Sequence, residues 1–343
     1  MTFTYASSYI SGMGSVVEKA LKDQISDVCI IQNKDGFIIY KTSQKSNILS
    51  LKFFNNTFLL IDKANVSHGQ SFQQSVNFIL NKLQIHDNIV KSIININKQK
   101  TFKILAIDKN QPSTIDYNKI KPLEKYIEKN IGIKNSFKNH DLDFVFMKRD
   151  DSIIMFLLKL TYNRITEKSL SHGELRPELA YLLSYMSNIK ETDIILDPFC
   201  GHGSIPKQIV KNFKYNMLFA SDYDEKLIKK LKLEYKNNNK NLFIKQRNAL
   251  DLSYFQDGFI NKIITDPPWN EFNKTEENYE IFYLKMLNEF YRILHNDGIC
   301  TILMGNVNDF EYALKSTKFL LNEKFNILVN GKKANVYKLI KSV

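Results

Sequence analysis

The chain has 343 residues, 43% apolar and 24% charged, which is long enough for two domains and excludes a disordered, fibrous or collagen-like protein. No run approaches the roughly 20 consecutive apolar residues that cross a bilayer. The N-terminal MTFTYASSYI lacks the basic-then-apolar order of a secretory signal, so a cytoplasmic protein without membrane contact is expected. Cys29, Cys200 and Cys300 stand far apart and form no CxxC pair, which implies neither a disulfide framework nor a metal site.

The formal charge of +12 is unevenly spread. The first 160 residues carry 22 Lys and Arg against 14 Asp and Glu, and the remainder 26 against 22. A basic region beside a second domain suits a polyanionic partner, because neutralised phosphates release counterions and supply sequence-independent affinity. A Lys- and Asn-rich compositional bias accounts for the same numbers, and both readings stay open.

In chain order, Thr2 to Tyr9 reads as a strand and the run Val16, Val17, Ala20, Leu21 as a helix. Val28 to Ile31 and Phe37 to Tyr40 read as short strands joined by an Asp35-Gly36 hairpin turn. Phe53, Phe54 and Phe58 to Ile61 continue the β pattern. Ser71 to Leu83 then places Phe72, Val76, Ile79 and Leu83 at helical spacing. A strand over Thr101 to Ile107 precedes a helix from about Asp116 to Asn130, closed by Gly132, and Phe144 to Met147 with Ile153 to Leu160 read as paired strands. Tyr162 to Leu170 reads as a link, after which Pro177 starts a helix that runs to about Met186.

From Asp193 onward strands and helices alternate, which predicts a parallel sheet with helices on both faces. The expected strands are Ile194 to Leu196, Met217 to Ser221, Leu242 to Lys245, Lys262 to Thr265 and Ile299 to Met304. The expected helices are Ile205 to Asn212, Glu225 to Tyr235, Tyr279 to Leu294 and Phe310 to Leu321. Phe325 to Val329, Asn330-Gly331 and Ala334 to Ile340 form a closing hairpin with an Asn-Gly turn.

Two strand ends carry the chemistry. Asp197-Pro198-Phe199-Cys200-Gly201-His202-Gly203 is a short β-branched strand that ends in an acid, turns on two glycines and re-emerges as a helix, the arrangement of a nucleotide-type cofactor site. The glycines let the backbone turn and approach a ligand without a Cβ in the way. Alone, this loop serves any dinucleotide or an ordinary tight turn. Further on, Ile263-Ile264-Thr265 leads into Asp266-Pro267-Pro268-Trp269. Two prolines remove two donors and leave their neighbouring carbonyls as outward acceptors. An acid, a carbonyl and an aromatic plane together hold an exocyclic amino group.

The pair of motifs resembles the S-adenosylmethionine-dependent methyltransferases that act on amino groups, with an acidic-x-x-x-Gly-x-Gly loop and Asp/Asn-Pro-Pro-aromatic. The resemblance implies a C-terminal Rossmann-like class I methyltransferase domain over 191–343, with its parallel sheet ending in an antiparallel hairpin. Thr101 to Ile104, the helix after it, Ile131 to Lys134 and Asp141 to Val145 resemble the THUMP module. This makes 1–160 an N-terminal α+β region that includes a THUMP-like RNA-binding module at about 45–160, and 161–190 a linker with a helix ahead of the cofactor strand. Ser171 to Ala180 is similar to the Arg-Pro-x-x-Ala segment that lines the cofactor pocket in that family, which brings Arg176 and Pro177 into the cofactor set. A plain connecting helix, with Arg176 a surface charge, is the competing reading.

The implied cofactor set is Arg176, Pro177, Asp197, Pro198, Phe199, Cys200, Gly201, Gly203, Asp222, Asn248, Ala249 and Asp251, with S-adenosylmethionine as the cofactor and no metal. Asp222, 19 residues after Gly203 at a strand end, suits the ribose hydroxyls; Asp224 is its rival and also a natural helix N-cap. The catalytic set is Asp266, Pro267, Pro268 and Trp269, with Asn270 and Phe272 shaping the pocket. His202 in place of the family's common Ser or Thr, and Trp269 in place of the more frequent Tyr, depart from the pattern. The expected activity is methylation of an exocyclic amino group in RNA, guanine N2 in tRNA first and rRNA next. A DNA adenine-N6 or cytosine-N4 methyltransferase and a catalytically silent RNA-binding factor are the alternatives.

Overall fold

The computed structural model describes the chain except residues 35, 46, 96, 150–151, 163–168, 236–239, 270–277, 330 and 342–343. The described residues gather into two units, Met1–Ser8 with Leu21–Arg164, and Tyr9–Ala20 with Ile165–Val343.

In the first unit β1 (Phe3–Ser8), β2 (Cys29–Lys34), β3 (Phe37–Thr42), β4 (Asn56–Asn65), β5 (Thr101–Asp108), β6 (Gln111–Ser113), β7 (Lys134–Asn135), β8 (Leu142–Lys148) and β9 (Ile153–Lys159) make one sheet, ordered β2-β3-β1-β4-β9-β8-β5-β6 with β7 on β5. Helix α1 (Gly14–Gln24) follows β1. Helices α2 (Phe72–Leu80), α3 (Asp87–Ile93) and α4 (Tyr117–Ile131) lie between β4 and β7. Local chemistry fixes their ends. Ser71 and Gln74 form a reciprocal capping box on α2, Asp116 caps α4, and Gly132 closes α4 in the left-handed conformation. Between β5 and β8 the pairing is parallel, and Phe144, Phe146 and Phe156 stack within the core.

Here the structure corrects one expectation. Phe53 and Phe54 belong to no strand; they are fully buried loop aromatics, 4.6 Å apart, with Phe54 stacked on Tyr40. Their β propensity reflects burial rather than extended pairing. Helix α3 and strand β6 had no sequence signal: α3 is a short helix with Val90 alone buried, and β6 is a three-residue strand held by its pairing with β5.

The second unit holds α5 (Pro177–Met186), β10 (Ile194–Asp197), α6 (Ser204–Asn212), β11 (Met217–Asp222), α7 (Glu225–Glu234), β12 (Leu242–Gln246), β13 (Ile260–Thr265), α8 (Tyr279–Ile293), β14 (Leu294–Met304), α9 (Val307–Lys315), β15 (Phe319–Val329) and β16 (Lys332–Lys341). Its sheet runs β12-β11-β10-β13-β14-β16-β15. The first five strands are parallel, and β16 joins β14 antiparallel with β15 outside it, as the hairpin signal predicts. Asn330 of the turn lies outside the described residues. Helix α9 stops at Lys315, short of the expected Leu321, because Phe319 to Leu321 open β15 and pair with β16. Strand β14 begins at Leu294 directly after α8, five residues before its predicted start.

The segment Tyr9–Ala20, N-terminal in sequence, packs with this second unit. Gly12 sits at φ 92, and a Cβ there would lie 1.9 Å from the Asn326 carbonyl oxygen, so the loop rests on the hairpin backbone and only glycine fits.

Candidate active site

The strand order reverses direction between β10 and β13, and the two motifs sit at the carboxyl ends of these neighbours, where open α/β sheets bind ligands. Asp197 closes β10. It is 1% exposed and accepts the Thr265 hydroxyl at 2.8 Å and the Phe199 N–H at 3.3 Å. Burial pushes its carboxyl well above the usual range, and the neighbouring carboxylates of Asp222 and Asp266 push the same way. Asp197 thus pins the loop to the end of β13, and the sequence alone did not show Thr265 as its partner.

The loop is stitched to β11 as well. The Cys200 N–H donates to the Ser221 carbonyl at 2.9 Å, and the Gly201 N–H to Asp222 Oδ2 at 2.8 Å. Gly201 has φ 47, and a Cβ there would meet nothing within 4 Å, so its backbone faces open space. Gly203, at φ 79, caps α6, and a Cβ would lie 2.4 Å from Leu231 Cδ1. One glycine faces the site and the other packs against helix α7. Pro198 is buried, and the half-buried Phe199 ring lies 6.2 Å from that of Phe282. Burial pushes the Cys200 thiol up, which favours the neutral thiol.

Asp222 ends β11 with both oxygens already accepting N–H groups, from Gly201 and from Asp224 at 2.9 Å. Each carboxylate oxygen keeps a second lone pair for a hydroxyl donor. Asp224 is spent as the cap of α7, accepting from Lys226 and Leu227. After β12, Asn248 accepts the Leu250 N–H, Ala249 is buried, and exposed Asp251 accepts from Ser253, which holds its carboxyl below the usual range. The Arg247 N–H donates to the Asp222 carbonyl at 3.0 Å and sets this turn at the end of β11, while its side chains serve the turn itself. Arg176 is the residue before α5, 3.5 Å from buried Glu178, and Pro177 takes the first helical position. Ser204 Oγ accepts the Leu175 N–H at 3.2 Å and ties this segment to the start of α6.

At the second motif, burial pushes the Asp266 carboxyl up to about 7. The Trp269 indole N–H donates to Asp266 Oδ1 at 2.8 Å and opposes that shift. Pro267 is buried and Pro268 exposed, and the Tyr283 hydroxyl donates to the Pro268 carbonyl at 2.7 Å. Trp269 is half-buried against the main apolar cluster. At Gly305, a Cβ would lie 2.2 Å from Trp269 Cε3 and 2.4 Å from Cδ2. One side of the indole is thus covered by backbone, which limits the aromatic plane read from the sequence. Asn270 and Phe272 lie outside the described residues. A glycine at the end of β14 was the signal for the Trp269 seat; Tyr283 had none. Among the described residues no group of three His, Cys, Asp or Glu side chains is placed to hold a metal ion, and no helix is long and apolar enough to cross a membrane.

Five parallel strands, a reversed hairpin at one edge and ligand-facing loops at the switch point define a class I Rossmann-like methyltransferase fold. Residues 164–335 match the RMKL-like methyltransferase domain, and the chain belongs to that family. It is similar to a tRNA (guanine(6)-N2)-methyltransferase of Methanocaldococcus jannaschii, 23% identical over 206 residues, covering 49% of this chain and 54% of the relative. A probable tRNA (guanine(10)-N2)-dimethyltransferase of Methanothermococcus thermolithotrophicus is 30% identical over 128 residues, 35% of this chain and 75% of the relative. The chain spans about half the length of the Methanocaldococcus relative. The crystal structure of TrmN from Thermus thermophilus superposes with a TM-score of 0.76 at 16% identity, over 100% of both chains, a likeness of fold.

Proposed function

We propose that this chain transfers a methyl group from S-adenosylmethionine to the N2 amino group of guanine in RNA, with tRNA as the substrate. The observation that carries the reading is the juxtaposition of the glycine loop and Asp266-Pro267-Pro268-Trp269 on adjacent strand ends, joined by the Thr265 to Asp197 hydrogen bond. The names of the relatives supply the choice of guanine N2 and tRNA.

The donor set fits the cofactor. Gly201 presents a side-chain-free backbone to open space, and Asp222 retains lone pairs toward ribose hydroxyls. The turn Asn248 to Asp251 supplies backbone for the adenine, and the Arg176-Pro177 segment is held at the same edge through Ser204. When bound, S-adenosylmethionine supplies an electrophilic methyl group. Asp266 and a proline carbonyl accept the two amino N–H groups and turn the nitrogen lone pair toward that methyl, so positioning supplies most of the rate. Methylation would break the methyl–sulfur bond and leave the nitrogen with a proton to lose, and Asp266, whose carboxyl burial pushes up to about 7, would take it at neutral pH. Trp269 orients Asp266 through its indole N–H and offers its uncovered face to the base. Stacking of this kind is worth about 1–3 kcal/mol. The THUMP-like module at about 45–160, within an N-terminal region of basic excess, supplies RNA affinity, and a cytoplasmic location suits such a substrate.

The test is transfer of labelled methyl into matched tRNA, rRNA and duplex DNA, with Asp266→Ala as control. Label in tRNA that is lost in the control is the expected result. Label confined to DNA overturns the reading, and cofactor binding without transfer to any of the three makes the chain a silent binding factor.

A further inference from the structure

Beyond Trp269, on the side of the sheet away from the glycine loop, the second unit carries a cleft of about 650 Å³ at the ends of β14, β15 and β16. That volume is typical of ligand sites. Its lining includes Ser11, Asn306, Asn308, Asn326, Lys333 and Asn335, with Ile327 and Ala334 as an apolar floor. We propose that this cleft is a nucleotide subsite of the RNA substrate, holding the residue next to the target guanine. The inference rests on the function proposed above and adds where the strand lies.

Position comes first. Across the carboxyl edge of the sheet the order is β12-β11-β10-β13-β14-β16-β15, so the cofactor loop, the Asp266 acceptor and the cleft follow one another in a line. Gly305 joins the last two: it is the seat of the Trp269 ring and also part of the cleft wall. A nucleotide with its amino group at Asp266 and the cofactor on one side has its chain neighbour directed to the other side, where the cleft lies.

Chemistry comes second. Side-chain amides carry both donors and acceptors and match the mixed pattern of a base edge. Among the described lining residues Lys333 is the one charged side chain, which suits a phosphate at the rim, while the Asp309 carboxylate is held by the Asn306 amide. The apolar floor takes a base face. Unpaired bases are read in this way, by stacking and amide contacts rather than by groove shape. The Ser11 wall is rigid because Gly12 rests on the Asn326 backbone in a conformation and at a distance that only glycine permits.

The experiment uses the full chain with a pool of unmodified tRNA transcripts and two sets of changes at exposed positions, Lys333→Glu and the pair Asn308→Ala with Asn326→Ala. Each is expected to raise KM for tRNA about tenfold with kcat and S-adenosylmethionine affinity within twofold of the parent chain. Transcripts carrying 4-thiouridine are expected to photocross-link to peptides containing Lys333 or Asn326, a readout that needs no turnover. KM unchanged in both sets, or cross-links that map only elsewhere, overturns the subsite while leaving methyl transfer intact. A parent chain that cross-links at the cleft yet transfers no methyl supports the subsite and sinks the catalytic reading instead.

Discussion

Gly305→Ala isolates the role of Trp269 from that of the fold. The backbone at Gly305 is not in the left-handed region, so alanine adds no conformational strain and acts only through its methyl group. That methyl meets Trp269 Cε3 at 2.2 Å, Cδ2 at 2.4 Å and Cγ at 2.9 Å, where ordinary contact begins near 3.4 Å. The ring must therefore retreat by about 1.2 Å. Movement on that scale takes the 2.8 Å bond from the indole N–H to Asp266 past hydrogen-bond range. A hydrogen bond to a carboxylate is worth about 1.5–3 kcal/mol, so kcat falls roughly tenfold to a hundredfold. Because the indole N–H holds the Asp266 pKa down, the acid limb of the rate profile moves above 7. The assay is kcat/KM against pH, read beside a thermal melt. Overpacking of this size costs about 1–3 kcal/mol, which lowers Tm by about 2–12 °C in a domain this large and leaves it folded at assay temperature. In a Trp269→Leu background the same alanine is expected to add little, since the clashing ring is gone. A Gly305→Ala chain with a parental pH midpoint and kcat within twofold refutes the reasoning.

Other perturbations test separate joints of the account. Asp266 has a raised folded pKa, so its contribution to stability is full below the unfolded value near 4 and is lost as pH rises through about 7. Activity needs the ionised form and moves oppositely: kcat/KM is expected to rise with a midpoint near pH 7, while Asp266→Asn abolishes transfer and melts higher than the parent at pH 8. Equal melting of the two at pH 8 contradicts the burial argument. Thr265→Val strips the hydroxyl from buried Asp197 and is expected to cost about 0.5–1.5 kcal/mol, since the same oxygen keeps only the longer Phe199 N–H bond; urea titration at pH 7 measures it, and a loss below 0.5 kcal/mol (about the ordinary surface value) speaks against the pinning role. Tyr283→Phe frees the Pro268 carbonyl and is expected to lower kcat about threefold to tenfold with KM for the cofactor unchanged, because only the acceptor loop loosens. A change confined to cofactor affinity would place Tyr283 elsewhere in the chemistry.

The sequence was legible where local rules dominate. The β-branched runs, Pro177 at a helix start, the helix beginnings near Ser71 and Asp116 and the closing hairpin all report on their own few residues, and the structure places them as read. Legibility failed where a residue answers to a distant partner. Phe53 and Phe54 look like strand because aromatics favour pleated surfaces, yet they fill the core from a loop. Phe319 to Leu321 continue a helical apolar pattern, yet ten backbone pairings with β16 claim all of β15 but Asn322. In the site, the two motifs were readable but their couplings were not. Thr265 to Asp197 spans 68 positions, Gly201 to Asp222 spans 21, and the Trp269 seat at Gly305 lies across a neighbouring strand. Asp224, a rival for the ribose in one dimension, is committed to a helix cap in three.

The central claim is that Asp266 and its neighbours present a guanine amino group to the cofactor loop. The most direct measurement is nucleoside analysis by mass spectrometry of tRNA transcripts incubated with S-adenosylmethionine and either the parent chain or Asp266→Asn at pH 8. The account predicts N2-methylguanosine with the parent and none with the variant. Methylation at any other atom, or N2-methylguanosine undiminished in the variant, contradicts it.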